Sequence, residues 1–429
     1  MKISAEQVQD YNDNVVGQHK KEFTQLTGLL SENGKNPEDV IKHLKDFQVA
    51  IPSWALGAGG TRFGRFSIGG EPRNLQEKIE DVGLIHALNR SSGAISLHIP
   101  WDIPDDPEAI KQKAASLSIR FDAVNSNTFQ DQSRQKHSYK YGSLCHTDVA
   151  VRNQAIEHNI EVIKYGELLG SKAITVWLAD GSNFPGQQNF RKALGWTLGS
   201  LEKIYSELPP DWKMLIEYKP FEPNFYSTVI PDWGTSHLLA SKLGNRAKTL
   251  VDLGHHLPNT NIEQIVATLM MEDKLGGFHF NDSKYADDDL TAGSIKPYQL
   301  FLIFCELVED LDSEDSGDAF SNIDWMIDAS HNLKDPLEDL LQSVEAINTA
   351  FAKSLLVDRK KLEQARDEND VVMAQEILQD AWQTDVRPLL RESRIQNGAA
   401  ADPIGLYRKL NVRKKLIAER GTGTTATGL

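Results

Sequence analysis

At 429 residues the chain exceeds one ordinary domain and fits either a large barrel with an appendage or two domains. Hydrophobic residues make up 40% and charged residues 25%, the balance of a globular enzyme. The net charge of −15 repels phosphate backbones and anionic lipid, so a nucleic-acid groove is disfavoured while neutral sugars and cationic metals are compatible.

The two cysteines, Cys145 and Cys305, are far apart and outside any CxxC spacing. This pattern points to a reducing compartment and away from a disulfide framework or a thiolate zinc site. The start MKISAEQVQDYN lacks the basic and apolar regions of a signal peptide, and no apolar run is long enough to span a bilayer. The expectation is a cytoplasmic protein with no membrane partner.

In chain order, residues 1–45 read as a charged helical segment, with Pro37 opening a second helix after the Asn33-Gly34 turn. Strands are then expected at 49–56, 94–101, 118–124, 173–178, 214–218, 249–253, 277–281 and 323–328. Helices are expected at 74–88, 109–117, 149–169, 190–208, 262–275 and 298–310, with a last barrel helix starting near Asp335-Pro336. Such alternation implies parallel strands, and eight of them in this length suit a closed TIM (β/α)₈ barrel, placed at 46–350. Residues 351–415 read as a helical extension, and 416–429, Gly- and Thr-rich, as a disordered tail. The stretch from Gly57 to Gly70 lacks phosphate-binding spacing and reads as a long loop after the first strand.

The acidic and histidine residues of the second half recur at strand ends. Glu217 and Lys219 end one strand, Asp252 and His255 the next, and His279 the third. Asp287 and Asp289 follow in a loop, and Asp328 ends the eighth strand. In a barrel, C-terminal strand ends form the active-site face. Taken singly, Asp252 or Asp328 is a helix cap, His255-His256 a satisfied loop pair, and Asp287-Asp288-Asp289 a solvated run. Their joint occurrence on four successive strands points instead to divalent metal, because clustered buried carboxylates need cations to stay ionised. Oxygen-rich ligation with imidazole favours Mn²⁺, Co²⁺ or Mg²⁺, and the number of ligands suits two ions per chain.

Glu217-Tyr-Lys219-Pro220, Asp252-Leu-Gly-His255, His279, Asp287-Asp-Asp289 and Asp328 resemble the metal-site series of xylose-isomerase-like barrels. Where xylose isomerases carry a second glutamate and an aspartate, this chain has Asp252 and His279, the pattern of L-rhamnose isomerases of the Pseudomonas type. Trp54, His98 with Pro100-Trp101, Phe129 and Trp177 add to the likeness, which covers residues 45–345.

The resemblance implies aldose–ketose isomerisation, L-rhamnose to L-rhamnulose with broad aldose tolerance, by a metal-assisted 1,2-hydride shift. It implies that Glu217 bridges two metals, that Asp252, His279 and Asp328 complete the first, and that His255, Asp287 and Asp289 complete the second. Lys219, His98 and Asp328 are then catalytic: Lys219 faces developing negative charge and His98 helps open the ring. Trp54, Trp101, Phe129, Trp177, Ser330 and Phe66 are expected to bind the sugar. In relatives the first loop reaches a neighbouring subunit, a place for Phe63 or Phe66, although a plain surface loop is the alternative.

Apolar residues of the extension, including Leu355, Leu356, Leu362, Val371, Ile377, Leu378, Trp382, Leu389 and Leu390, recur at helical spacing and need a surface to cover. Burial in a homotetramer is the expectation, with folding back on the chain's own barrel as the alternative. Competing functions are a sugar epimerase with a single metal and a metal-dependent endonuclease-type hydrolase, the second opposed by the charge of −15.

Overall fold

The computed structural model describes residues 2–58, 66–133, 135–222, 226–309, 311, 320–331 and 333–423, so Phe63 lies outside the described residues. Among these, eight parallel strands close into a barrel: β1 Ala50–Pro52, β2 Ala94–Ile99, β3 Arg120–Ser126, β4 Ala173–Val176, β5 Lys213–Glu217, β6 Ala247–Asp252, β7 Leu275–Phe280 and β8 Asp324–Ile327. Each pairs with its neighbours in chain order, and β1 closes on β8. The chain is therefore an α/β TIM barrel with flanking helices, as its alternating pattern predicts.

Inward residues of neighbouring strands form two small clusters inside the barrel. Ala123, Ala173, Leu215 and Leu250 form one buried cluster, and Ala50, Ala94 and Met326 another beneath Trp54. The outward Ile, Val and Leu residues of the strands join the helices in the main core.

Three departures from the predicted elements have local causes. The first strand ends at Pro52, and Ser53–Leu56 forms a 3₁₀ turn, because proline has no N–H to continue the ladder. Residues 233–243 form a helix, Trp233–Leu243, that the apolar pattern does not announce. Its buried residues are Ser236, Leu239 and Ala240, and Ser236 Oγ donates to the Ile216 carbonyl at 2.7 Å, so its inner face is partly polar. The helix after β8, Pro336–Leu355, runs through the expected boundary at 350.

The extension lies on the barrel itself. Helix Arg387–Gln396 packs on Pro37–Asp46, Val16–Glu32 and Pro336–Leu355, and Leu356, Leu362, Ile377, Leu389 and Leu390 are buried within the single chain. The N-terminal helices and the outer face of Pro336–Leu355 provide the surface that the helical pattern demands. Val371 differs: with Val372 and Met373 it is exposed.

Helix Val412–Arg420 continues past the expected start of the tail at 416 and latches the end of the first loop. Arg420 donates from both terminal nitrogens to Asp81 at 2.8 Å and from one to the Gly70 carbonyl at 3.2 Å. Arg413 pairs with Asp335 at 2.6 and 2.9 Å and reaches the Gly69 carbonyl at 3.2 Å. Gly70 has φ +70°, and a Cβ there would stand 2.7 Å from the Ile417 nitrogen, so the helix can approach only glycine. No helix among the described residues is long and apolar enough to cross a membrane.

Candidate active site

Barrel closure brings the ends of β5 to β8 to one centre. The register pairs Asp252 with His279 and His279 with Met326, which sets Asp328 two residues further at the rim. Glu217, Asp252, His279 and Asp328 each offer one ligand atom, and these atoms lie within 4.8 Å of one another. His279 Nδ1 stands 3.3 Å from Glu217 Oε1 and 3.6 Å from oxygens of both Asp252 and Asp328.

A second group shares Glu217. His255 Nδ1 is 3.3 Å from Glu217 Oε1, and its Nε2 is 3.4 Å from Asp287 Oδ1. Asp289, at φ +48°, lines the same cavity as Asp287. Asp288 between them is spent differently: its carboxylate accepts the backbone N–H groups of Lys284, Tyr285 and Ala286 and shapes the loop.

Electrostatics follow from crowding acids and imidazoles out of water. Burial works to raise the Glu217 carboxyl, but His279 and His255 hold it down to about 2. Burial pushes Asp328 up to about 7 in spite of His279, and burial together with Asp287 and Asp328 lifts Asp289 well above the carboxylate range. Burial opposes the charged imidazoles, yet Glu217 brings His279 up to about 10, and Asp252 and Asp287 raise His255 as well. The carboxylates thus favour a positive charge at the centre of the cluster.

The donor set fits divalent cations. His255 and His279 are buried, and their Nδ1 atoms make no hydrogen bond although carboxylates stand 3.3 Å away. A cation taken up by these residues displaces their protons, so metal affinity is expected to rise from pH 6 to pH 8. Calorimetric titration with Mn²⁺ in buffers of different ionisation enthalpy measures the released protons. Affinity indifferent to pH would exclude imidazole ligation.

Supporting residues hold these groups. Asn281 donates to both Asp252 oxygens at 3.0 and 3.2 Å, and the Gly254 N–H donates at 2.8 Å. Trp54 Nε1 donates to Asp328 Oδ1 at 2.9 Å. Ser330 stands outside the cavity lining and instead donates to Asp289 Oδ2 at 3.1 Å. Lys219, fully buried, lies 2.6 Å from Asp287, 2.8 Å from Glu222 and 5.1 Å above the Trp177 ring.

The cavity beside the cluster has a volume of about 370 Å³, and its far wall is aromatic. The His98 ring packs 4.1 Å from Trp101, 5.3 Å from Trp54 and 5.6 Å from Phe129, which meets Trp177 edge-on at 4.8 Å. Burial pushes the His98 imidazole down to about 3, so it is neutral. Phe66 is 64% exposed and stands away from this cavity. Asn125, Thr175, Glu222, Gln130 and Tyr226 line the cavity unannounced by the strand-end pattern. Only Glu222, three residues after Lys219, carried a signal, as a second acid beside a buried lysine.

No protein-family model matches the chain. It is 50% identical over 426 residues to a "Probable sugar isomerase" of Mesorhizobium japonicum, spanning 99% of this chain and 98% of that one. The chain belongs to this sugar isomerase family. A second member, from Rhizobium meliloti and named in the same words, is 51% identical over 400 residues, 93% of this chain and 92% of its own. Among solved structures an L-ribulose 3-epimerase superposes with a TM-score of 0.50 at 13% identity, covering 76% of this chain and 98% of that one. At that identity the likeness speaks for the shared barrel alone.

Proposed function

We propose that this family member is a metal-dependent aldose–ketose isomerase of the L-rhamnose isomerase type, with L-rhamnose as its leading substrate and related aldoses accepted. The observation that carries the reading is the pair of ligand groups meeting at Glu217: Asp252, His279 and Asp328 on one side, His255, Asp287 and Asp289 on the other. These residues would hold two divalent ions, Mn²⁺ before Co²⁺ or Mg²⁺. When bound, the ions supply polarisation of the carbonyl and hydroxyl oxygens at the reacting carbons.

The chain's own side chains account for the remaining requirements. Lys219, fixed by Asp287, Glu222 and the Trp177 face, presents its ammonium to negative charge developing on a sugar oxygen. Neutral His98 lines the cavity among the aromatic rings and is placed to hydrogen-bond the ring oxygen as the pyranose opens. Trp54, Trp101, Phe129 and Trp177 cover the C–H face of the sugar and keep water from the path between C2 and C1. Assembly as a homotetramer belongs to the same proposal, with exposed Val371, Val372 and Met373 as one face available for contact.

A sugar epimerase is the second reading, since Glu217, Asp252, His279 and Asp328 alone form the more compact group and could serve a single ion. The two differ in hydrogen bookkeeping. The full chain with Mn²⁺, incubated in D₂O with a panel of aldoses and separately with the corresponding ketoses, is expected to interconvert the two without deuterium at C1. EDTA is expected to abolish the conversion. A ketose epimerised at C3 with deuterium incorporated would replace isomerase by epimerase.

A further inference from the structure

The β-sheet register aligns His98 with Asn125 and Asn125 with Thr175, so three consecutive strands, β2 to β4, carry a polar row at one level. All three residues line the cavity on the wall across from the carboxylate–imidazole cluster of β5 to β8. Asn125 and Thr175 are only 6% and 2% exposed. Asn125 Nδ2 donates to Ser96 Oγ at 3.0 Å and to the Leu97 carbonyl at 3.2 Å. Those two bonds fix the amide and leave Oδ1 as an acceptor. Thr175 Oγ1 is buried and makes no hydrogen bond within the protein.

A buried hydroxyl without a partner is costly, and valine would fill the same space without that cost. Thr175 alternates in direction with Ile174 and Val176, which join the outer core, and so faces the barrel interior and the cavity. We propose that Asn125 and Thr175 form a hydroxyl-recognition subsite that selects the sugar by one hydroxyl, O4 or O5, on the side of the sugar remote from the cluster. The inference rests on the sugar isomerase reading. The ligand chemistry is a neutral alcohol, because one O–H can donate to the fixed Asn125 oxygen while accepting from the rotatable Thr175 hydroxyl. An anion would meet the Asn125 oxygen without a cation in the row to offset it. A deoxy carbon would leave both protein groups unpaired, which is how a site discriminates strongly against a missing hydroxyl.

The test uses the full-length, Mn²⁺-loaded protein, an aldohexose, and its 4-, 5- and 6-deoxy analogues, with the matching alditols for calorimetric binding. Wild type is expected to prefer the parent sugar over the 4- or the 5-deoxy analogue by about tenfold or more, the worth of one hydrogen bond. In Thr175→Val that ratio is expected to fall severalfold, to what the Asn125 bond alone gives, mainly through KM, and Thr175→Ser is expected to restore it. Thr175→Ala carries the same comparison if the valine variant does not fold. An unchanged ratio in the valine or alanine variant, or an equal loss for parent and all analogues, overturns the subsite. Alditol discrimination that depends on Thr175 in a protein that isomerises no aldose would keep the subsite and remove the isomerase reading.

Discussion

Lys219→Met is expected to lower kcat by about 10²–10³-fold while the metal content per chain is kept, as for loss of a single group aimed at transition-state charge. Methionine replaces most of the stem and removes only the ammonium. Its loss leaves Asp287 and Glu222, now 2.6 and 2.8 Å from the lysine, without that positive neighbour. More negative charge beside the ligand groups favours cation uptake, so a fall in metal content is not an electrostatic consequence of the change. Ketose formation and metal analysis on the same sample separate the outcomes. Unchanged kcat would remove Lys219 from the chemistry, and a parallel fall in metal and kcat would make it a structural residue of the ligand group.

Arg420→Met is the second large effect, and it acts on stability. Arg420 and Asp81 are each about 1% exposed at the side chain and are joined by two hydrogen bonds at 2.8 Å. Removing one partner of such a pair leaves a buried charge, a loss of about 3–5 kcal/mol. Burial already pushes the Asp81 carboxyl up to about 6 despite Arg420, so without the guanidinium the acid takes a proton more readily. The pair's contribution is therefore present above that pKa and is lost as pH falls through it. Denaturation midpoints are expected to differ more between wild type and variant at pH 8 than at pH 5. Equal midpoints at pH 8 would mean that the C-terminal latch contributes nothing to holding Gly70 and the first barrel helix, Leu75–Asn89.

Much of this architecture was legible because strand and helix periods are local properties. The expected strand 249–253 overlaps Ala247–Asp252, and 277–281 overlaps Leu275–Phe280, close enough to put Asp252 and His279 on the same rim. Helix Trp233–Leu243 was hidden because its buried face includes Ser236, whose hydroxyl is satisfied by strand backbone rather than by water. The turn at Ser53–Leu56 was hidden because the apolar run continues through it. That turn is what swings Trp54 to within 2.9 Å of Asp328.

Residue order alone determined which acids, imidazoles and aromatic rings stand at strand ends, since a parallel βα chain sends all those ends to one face. Tertiary structure decided which of them meet. Closure of β1 on β8 curves the rim so that Glu217 and Asp328, 111 positions apart by their numbers, share one centre. The same neighbourhood spends Asp288 on loop amides, sets Asn281 behind Asp252 and turns Ser330 toward Asp289 rather than the cavity. It also covers Leu389 and Leu390 of the extension with the chain's own helices. Helical spacing shows that an apolar face must be covered, but the covering surface is a property of distant segments brought together by the barrel, which no local pattern encodes.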